Sequence, residues 1–191
     1  LGERLADMDA MGLDMQLIMC PPNQCYNTVP LDVSVKAAQL VNEGIAAYVA
    51  KTPDRFVALG SVPMQDGKEA AAELERIMRQ GFKGVQILTN TAGKEISDPS
   101  AEPFWAKAEE LGAIVLLHPN GFTQADRFSR FYFTNVIGNP LETTVALHYL
   151  IFDGVLERYP DLKIVSVHGG GYLGAYSGRI DHAWGARSDA R

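Results

Sequence analysis

Ala113-Ile114-Val115-Leu116-Leu117-His118-Pro119 and, fifty residues further on, Leu162-Lys163-Ile164-Val165-Ser166-Val167-His168-Gly169-Gly170-Gly171 decide how this chain is read. Each is a short apolar run of strand length, closed by a histidine and then by turn residues. Apolar runs without polar alternation fit strands covered on both faces, as in a parallel sheet. Between them, residues 140–157 carry a helical pattern whose Pro140 suits a first helical turn. A metal-competent side chain at the C-terminal tip of one strand, repeated on the next, is the arrangement expected at the mouth of a βα-barrel.

The same alternation continues outward. Residues 3–11 place Leu5, Met8 and Met11 at helical spacing, and Gly12 stops the helix. Residues 14–20 predict a short buried strand, broken by Pro21-Pro22-Asn23, and a loop runs to Pro30. Asp32 is expected to cap a long helix reaching about Ala50. A strand follows over 55–62, then a helix over 67–80 with Ala70, Leu74, Ile77 and Met78 on its inner face and Gly81 at the C′ position. Residues 85–88 predict a strand, 89–99 a polar loop, and 100–111 a helix ended by Gly112. A long loop spans 118–139, and a terminal helix follows the glycine-rich loop. No internal repeat or low-complexity stretch is present.

The pattern α-β-α-β-α-β-α-β-α-β-α predicts an α/β fold, a parallel sheet covered by helices. Five strands fit a doubly wound sheet or part of a (β/α)8 TIM barrel. A whole barrel takes about 250 residues, so on the second reading residues 1–191 hold its middle as a single partial domain. Leu1 enters an amphipathic helix without a cap, and Arg191 closes no element; both ends read as cuts.

With 47% hydrophobic and 21% charged residues and a net charge of −6, the composition is that of a soluble globular protein. No basic stripe suggests nucleic acid. No apolar run is long enough for a membrane span, and no basic-then-apolar leader is present, so a cytoplasmic protein is expected. Cys20 and Cys25 read as two free thiols in a reducing compartment; a C-x4-C zinc half-site would need a second pair to complete it.

His118 leaves its strand directly and would point into a barrel mouth, where a neutral imidazole can bind a divalent metal or act structurally. The His168-Gly169-Gly170-Gly171 loop has three functional readings. An esterase-type oxyanion loop needs a Gly-x-Ser-x-Gly elbow, and Gly174-Ala175-Tyr176-Ser177-Gly178 has the wrong spacing. Gly169, Gly171 and Gly174 satisfy G-x-G-x-x-G, but the partner acid on a second strand is lacking. The third reading is a catalytic histidine with glycines making room for substrate. His148 and His182 read as packing or surface residues; Tyr172, Tyr176 and Trp184 read as packing and not as a stacking platform. Asp7, Asp9 and Asp14 do not cluster, and Glu69, Glu73 and Glu75 read as a solvated helix face.

Taken together, three stretches resemble the amidohydrolase superfamily, in its branch related to aminocarboxymuconate-semialdehyde and gamma-resorcylate decarboxylases. They are Leu116-Leu117-His118-Pro119; Asn139-Pro140-Leu141-Glu142-Thr143-Thr144 with Gly154 to Lys163; and His168-Gly169-Gly170-Gly171 through Gly178-Arg179-Ile180. The resemblance extends more weakly to Pro53-Asp54-Arg55-Phe56 and Gly81-Phe82-Lys83-Gly84-Val85. It implies a metal-dependent (β/α)8 barrel of which residues 1–191 hold strands 2 to 6. By position, His118 resembles a metal ligand and His168 the general acid/base. Arg179 resembles an arginine that in some relatives reaches a substrate carboxylate across a dimer interface. The implied cofactor is a divalent metal, Zn2+ first and Mn2+ second, with no nucleotide cofactor. The family's His-x-His or Glu-x-His pair and its strand-8 aspartate have no counterpart here. Asn120 stands where close relatives often carry tryptophan, and Tyr172-Leu173-Gly174 replaces a commoner Phe-Pro-containing stretch.

The implied activity is a metal-dependent decarboxylase acting on a small unsaturated or aromatic carboxylate, in a homodimer or larger homo-oligomer, with neither nucleic acid nor membrane as partner. A hydrolase or hydratase on the same scaffold shares every residue named. A catalytically inert piece is the third reading, since one strand-tip ligand does not complete a metal site.

Overall fold

The computed structural model describes residues 1–190; the expectation placed on Arg191 falls outside them. The helices are α1 (Gly2–Ala10), α2 (Leu31–Val49), α3 (Gly67–Arg79), α4 (Glu102–Glu110), α5 (Asn139–Phe152), α6 (Val155–Arg158) and α7 (Leu173–Ala186). The strands are β1 (Gln16–Ile18), β2 (Phe56–Ala58), β3 (Gly60–Ser61), β4 (Gly84–Leu88), β5 (Asn90–Thr91), β6 (Lys94–Glu95), β7 (Ile114–His118) and β8 (Lys163–Ser166). Only Leu59 separates β2 from β3, so the two behave as one interrupted strand. Parallel pairing then runs β1 to β2, β3 to β4, β4 to β7 and β7 to β8.

Each parallel strand therefore neighbours the next one in the chain, with helical crossovers between. A doubly wound sheet reverses its strand order at a switch point; this order never reverses. That is the winding of a (β/α)8 barrel, and the chain is an arc of one. No helix among the described residues is long and apolar enough to cross a membrane.

Side chains alternate across the strands with a period of two. Val85 and Ile87 of β4 and Val115 and Leu117 of β7 join the core against α3, α4 and α5, among Leu74, Ile77, Phe104, Trp105 and Leu150. Gln86, Leu116 and His118 take the other face, inside the arc. There Gln86 donates to the Cys20 carbonyl at 3.1 Å and lies 3.4 Å from Cys25 Sγ. Both cysteines are free and buried. A hydrogen bond between the two thiols holds Cys25 below, and Cys20 above, the ordinary thiol value.

Several expectations are corrected. α2 begins at Leu31 after Pro30, so Asp32 lies inside the first turn, where it meets the helix dipole instead of capping. The helix expected over 140–157 is two helices, because Gly154 takes a left-handed φ of 71° between α5 and α6. The 89–99 loop contains the antiparallel β5–β6 hairpin, and the 118–139 loop holds a 3-10 turn at Ala125–Phe128 and a π-turn at Thr134–Gly138. The outer strands are only half covered: Leu17 of β1 is 43% and Val165 of β8 46% exposed. Tyr172, Tyr176 and Trp184, expected to pack, are exposed as well, although Trp184 meets Phe152 edge-on at 5.8 Å.

Glu73 is the largest correction among the carboxylates. It is 6% exposed and accepts from Asn42 Nδ2 at 2.6 Å and from Arg76. Asn42 also exchanges hydrogen bonds with the Ser61 backbone, donating to its carbonyl at 2.9 Å and accepting from its N–H at 2.8 Å. One α2 amide thus pairs the buried Ser61 backbone of a two-residue strand, and the carboxylate completes that amide's own needs.

Gly84 opens β4 at φ 149°, and a Cβ there would stand 1.9 Å from the Ile114 carbonyl oxygen. That contact lies inside the β4–β7 pairing itself. Gly84→Ala is expected to destabilise the fold by about 3 kcal/mol, the upper range for overpacking; thermal unfolding of the variant checks this, and an unchanged melting temperature would contradict it.

Candidate active site

β7 delivers His118 to the inner side of the arc at the C-terminal strand edge, paired in register with Leu88. Its Nδ1 lies 2.7 Å from the Pro119 carbonyl oxygen. A carbonyl only accepts, so Nδ1 carries the proton and Nε2 keeps its lone pair.

His168 reaches the same place by a different route. Alternation would send it to the side of Ser166, toward the helices. Its backbone instead adopts a left-handed φ of 54°, and Gly169, Gly170 and Gly171 continue with positive φ. This turn swings the imidazole back, so that the two rings meet edge-on with centroids 5.2 Å apart and planes at 69°. The glycines serve this path. A Cβ on Gly171 would fall 2.2 Å from Thr144 Oγ1 and 2.5 Å from the Pro140 carbonyl oxygen.

The first turn of α5 holds the loop at both ends. Thr143 donates its hydroxyl proton to the Asn139 carbonyl at 3.0 Å, leaving a lone pair toward His168 Nδ1 at 3.3 Å. A hydroxyl has one proton to give, so His168 Nδ1 is the donor and its Nε2 is the free nitrogen. Thr144 Oγ1 accepts from the Tyr172 N–H at 2.9 Å and donates to the Pro140 carbonyl at 2.8 Å. Both imidazoles therefore present Nε2 without a partner among the described residues. Burial, and then the neighbouring His118, lower the pKa of His168 below the ordinary imidazole value.

A cavity of about 410 Å³ opens beside His118, walled by Asn23, Asn120, Asn135, Asn139 and Tyr132 among others, with no lysine, arginine or carboxylate in its lining. A larger space of about 600 Å³ lies between β1 and α2, lined by residues such as Leu17, Leu40 and Tyr48, and touches neither histidine.

The structure thus brings His118 and His168 together. Arg179 stands exposed on α7, and no hydrogen bond or ion pair joins it to either histidine among the described residues. Ser177 lies within α7 and not at a strand-to-helix elbow, which removes the esterase geometry. His148 bonds the Thr144 carbonyl through Nδ1 and stacks on Phe152, a packing role. Sequence reasoning misses Thr143 and Thr144. Their only signal is that they close the polar N-terminal stretch of a helix that is mostly apolar beyond them.

An amidohydrolase family model matches residues 2–188. The 2-amino-3-carboxymuconate-6-semialdehyde decarboxylase of Dictyostelium discoideum is 37% identical over 188 residues, covering 97% of this chain and 52% of that protein. Among solved structures, 5-carboxyvanillate decarboxylase from Sphingomonas paucimobilis superposes with a TM-score of 0.90 at 29% identity, over 96% of this chain and 56% of the other. A variant of the Novosphingobium aromaticivorans 5-carboxyvanillate decarboxylase, crystallised with manganese and 3-methoxy-4-hydroxy-5-nitrobenzoic acid, gives 0.89 at 30% identity, over 98% and 56%. The chain spans about half the length of the curated relatives it matches.

Thr143→Val keeps the shape of the side chain and removes the hydroxyl that orients His168. Nitrogen-detected NMR of the imidazole is expected to show one tautomer, protonated at Nδ1, in the parent protein and a mixture in the variant. A single unchanged tautomer in both would contradict the orienting role.

Proposed function

The chain belongs to the amidohydrolase family, and on that premise we propose that the protein carrying it is a metal-dependent decarboxylase of a small aromatic or unsaturated carboxylate. The observation that carries the reading is the pair of strand-tip imidazoles 5.2 Å apart, each with Nδ1 occupied and Nε2 free. The decarboxylases matched across nearly this whole chain support it.

His118 is one metal ligand in this proposal. A neutral imidazole with an exposed Nε2 and a hydrogen-bonded Nδ1 is the form that binds Zn2+ or Mn2+. We take Zn2+ as the first choice; the manganese in the Novosphingobium enzyme supports Mn2+ as the other. No group of three His, Cys, Asp or Glu side chains converges among the described residues, so the proposal assigns the remaining donors to residues beyond them. The cation, when bound, supplies Lewis-acid polarisation of substrate oxygens.

His168 moves the proton. Its protonated Nε2 delivers H+ to the carbon that loses its carboxylate; the carbon–carbon bond breaks, its electron pair takes up that proton, and carbon dioxide leaves. The groups that lower its pKa favour the neutral imidazole left behind, so the proton is readily given up. Thr143 keeps Nδ1 bonded throughout, which leaves Nε2 as the nitrogen that exchanges protons. Arg179 is the remaining role: its planar fork suits a carboxylate bidentately. Its exposure on α7 supports a reach into the site of a second copy, and hence a homodimer or larger homo-oligomer. We place residues 1–191 as a single partial-barrel domain of a cytoplasmic protein, an assignment supported by the two free thiols.

His168→Gln in the intact protein is expected to lower turnover of the aromatic carboxylate by about a hundredfold or more, the scale of one general acid, with bound metal unchanged by elemental analysis. His118→Ala is expected to lose the metal itself. Full turnover in a metal-loaded His168→Gln protein would overturn the proton-transfer role.

A further inference from the structure

The first turn of α5 carries a buried polar face that the proposed chemistry uses only in part. Asn139, Glu142 and Thr143 occupy positions i, i+3 and i+4, which place them side by side. They are 7%, 4% and 0% exposed. Thr143 orients His168, and Asn139 lines the cavity beside His118. Glu142 does neither.

Glu142 is a buried carboxylate with no lysine or arginine partner among the described residues. Its Oε1 accepts from Asn90 Nδ2 at 2.9 Å. Its Oε2 accepts from the Thr123 hydroxyl at 3.3 Å and from the Thr123 N–H at 3.4 Å. Burying a carboxylate on neutral donors is costly, and an apolar side chain would fill the space more cheaply. The cost has a counterpart in what the donors belong to. Asn90 opens the loop that follows β4, and its carbonyl accepts in turn from Asn27 Nδ2 at 2.7 Å, in the loop that follows β1. Thr123 lies in the loop that follows β7. Between His118 and Thr123 run Asn120 and Gly121, which form part of the cavity wall.

We propose that Glu142 is a positioning residue, whose carboxylate clasps the loops after β4 and β7 to α5 and thereby sets the wall of the substrate cavity beside His118. It touches neither imidazole; it acts through Asn90 and Thr123. The proposal rests on the reading that this cavity receives the substrate.

Reversing the hydrogen-bond polarity tests it in the intact, manganese-loaded protein. Glu142→Gln puts an NH2 where a second acceptor is needed, so either Thr123 or Asn90 faces a donor. Asn90→Asp alone sets two carboxylates against each other. Combined as N90D/E142Q, the amide introduced at position 142 donates to the carboxylate at position 90 and its oxygen accepts from Thr123, which restores every bond with only the 90–142 pair inverted. Hydrogen-exchange mass spectrometry of peptides covering 119–124 is expected to show exchange faster by about tenfold in Glu142→Gln, the scale of one hydrogen bond to a carboxylate, and to return within about threefold of the parent in the double variant. With gamma-resorcylate as the turnover probe, KM is expected to rise by about tenfold in Glu142→Gln with kcat retained and manganese stoichiometry unchanged. Exchange unaltered by Glu142→Gln, or a double variant no better than Glu142→Gln alone, would overturn the clasp. A parent protein that exchanges as expected but turns over neither an aromatic nor an unsaturated carboxylate would instead count against the decarboxylase reading, and the exchange result would still decide the role of Glu142.

Discussion

Val167 donates its backbone N–H to the Leu117 carbonyl at 3.3 Å, one step past the last paired residues of β7 and β8, and the position of every group at the site depends on that pairing. It sets the two strand ends level, so the residues just beyond them become neighbours. His118 continues the inner-face parity of Leu116. His168 has the wrong parity, and only its left-handed backbone brings it round. A non-glycine residue in that region costs about 1–2 kcal/mol, offset by the Thr143 contact and by the close seating of Gly171 on α5. The strain is local and has a visible use: without it the two imidazoles would face opposite sides of the sheet.

Much of this was legible in the chain because it is carried by local signals. Apolar runs, helix-stopping glycines such as Gly81 and Gly112, and histidines at strand tips are read within a few residues of one another. The parallel winding followed from the alternation, and the neighbour order then separated a barrel arc from a doubly wound sheet. What stayed hidden was carried by contacts across the chain. Glu73 has the spacing of a solvated helix face, yet Asn42, thirty-one residues away, draws it into the core. Glu142 bonds Asn90 across fifty-two residues. No periodicity marks such partners, since the same polar residue on the same helix serves equally well in water. Gly154 was visible, but whether a glycine late in a helix bends it or breaks it depends on what packs there, and here a left-handed φ divides α5 from α6.

The electrostatics of the mouth are spare. The cavity wall is built of amides, a phenol and prolines, with no fixed cation or carboxylate to pre-empt a ligand's charge. Beside that neutral wall, partial burial and, after it, the neighbouring His118 ring both disfavour the charged form of His168. The one buried carboxylate nearby, Glu142, is turned away from the cavity onto loop donors. The cavity lining therefore offers neutral hydrogen-bonding groups together with the His118 imidazole.

Two adjacent hydroxyls, Thr143 and Thr144, grip the His168 loop at its beginning and its end. A segment with three consecutive glycines would by itself be the most pliant piece of the barrel mouth. Pinned at both ends to a single helical turn, it loses its own degrees of freedom and takes on those of α5. The imidazole thereby takes its position from a helix and not from the loop that carries it.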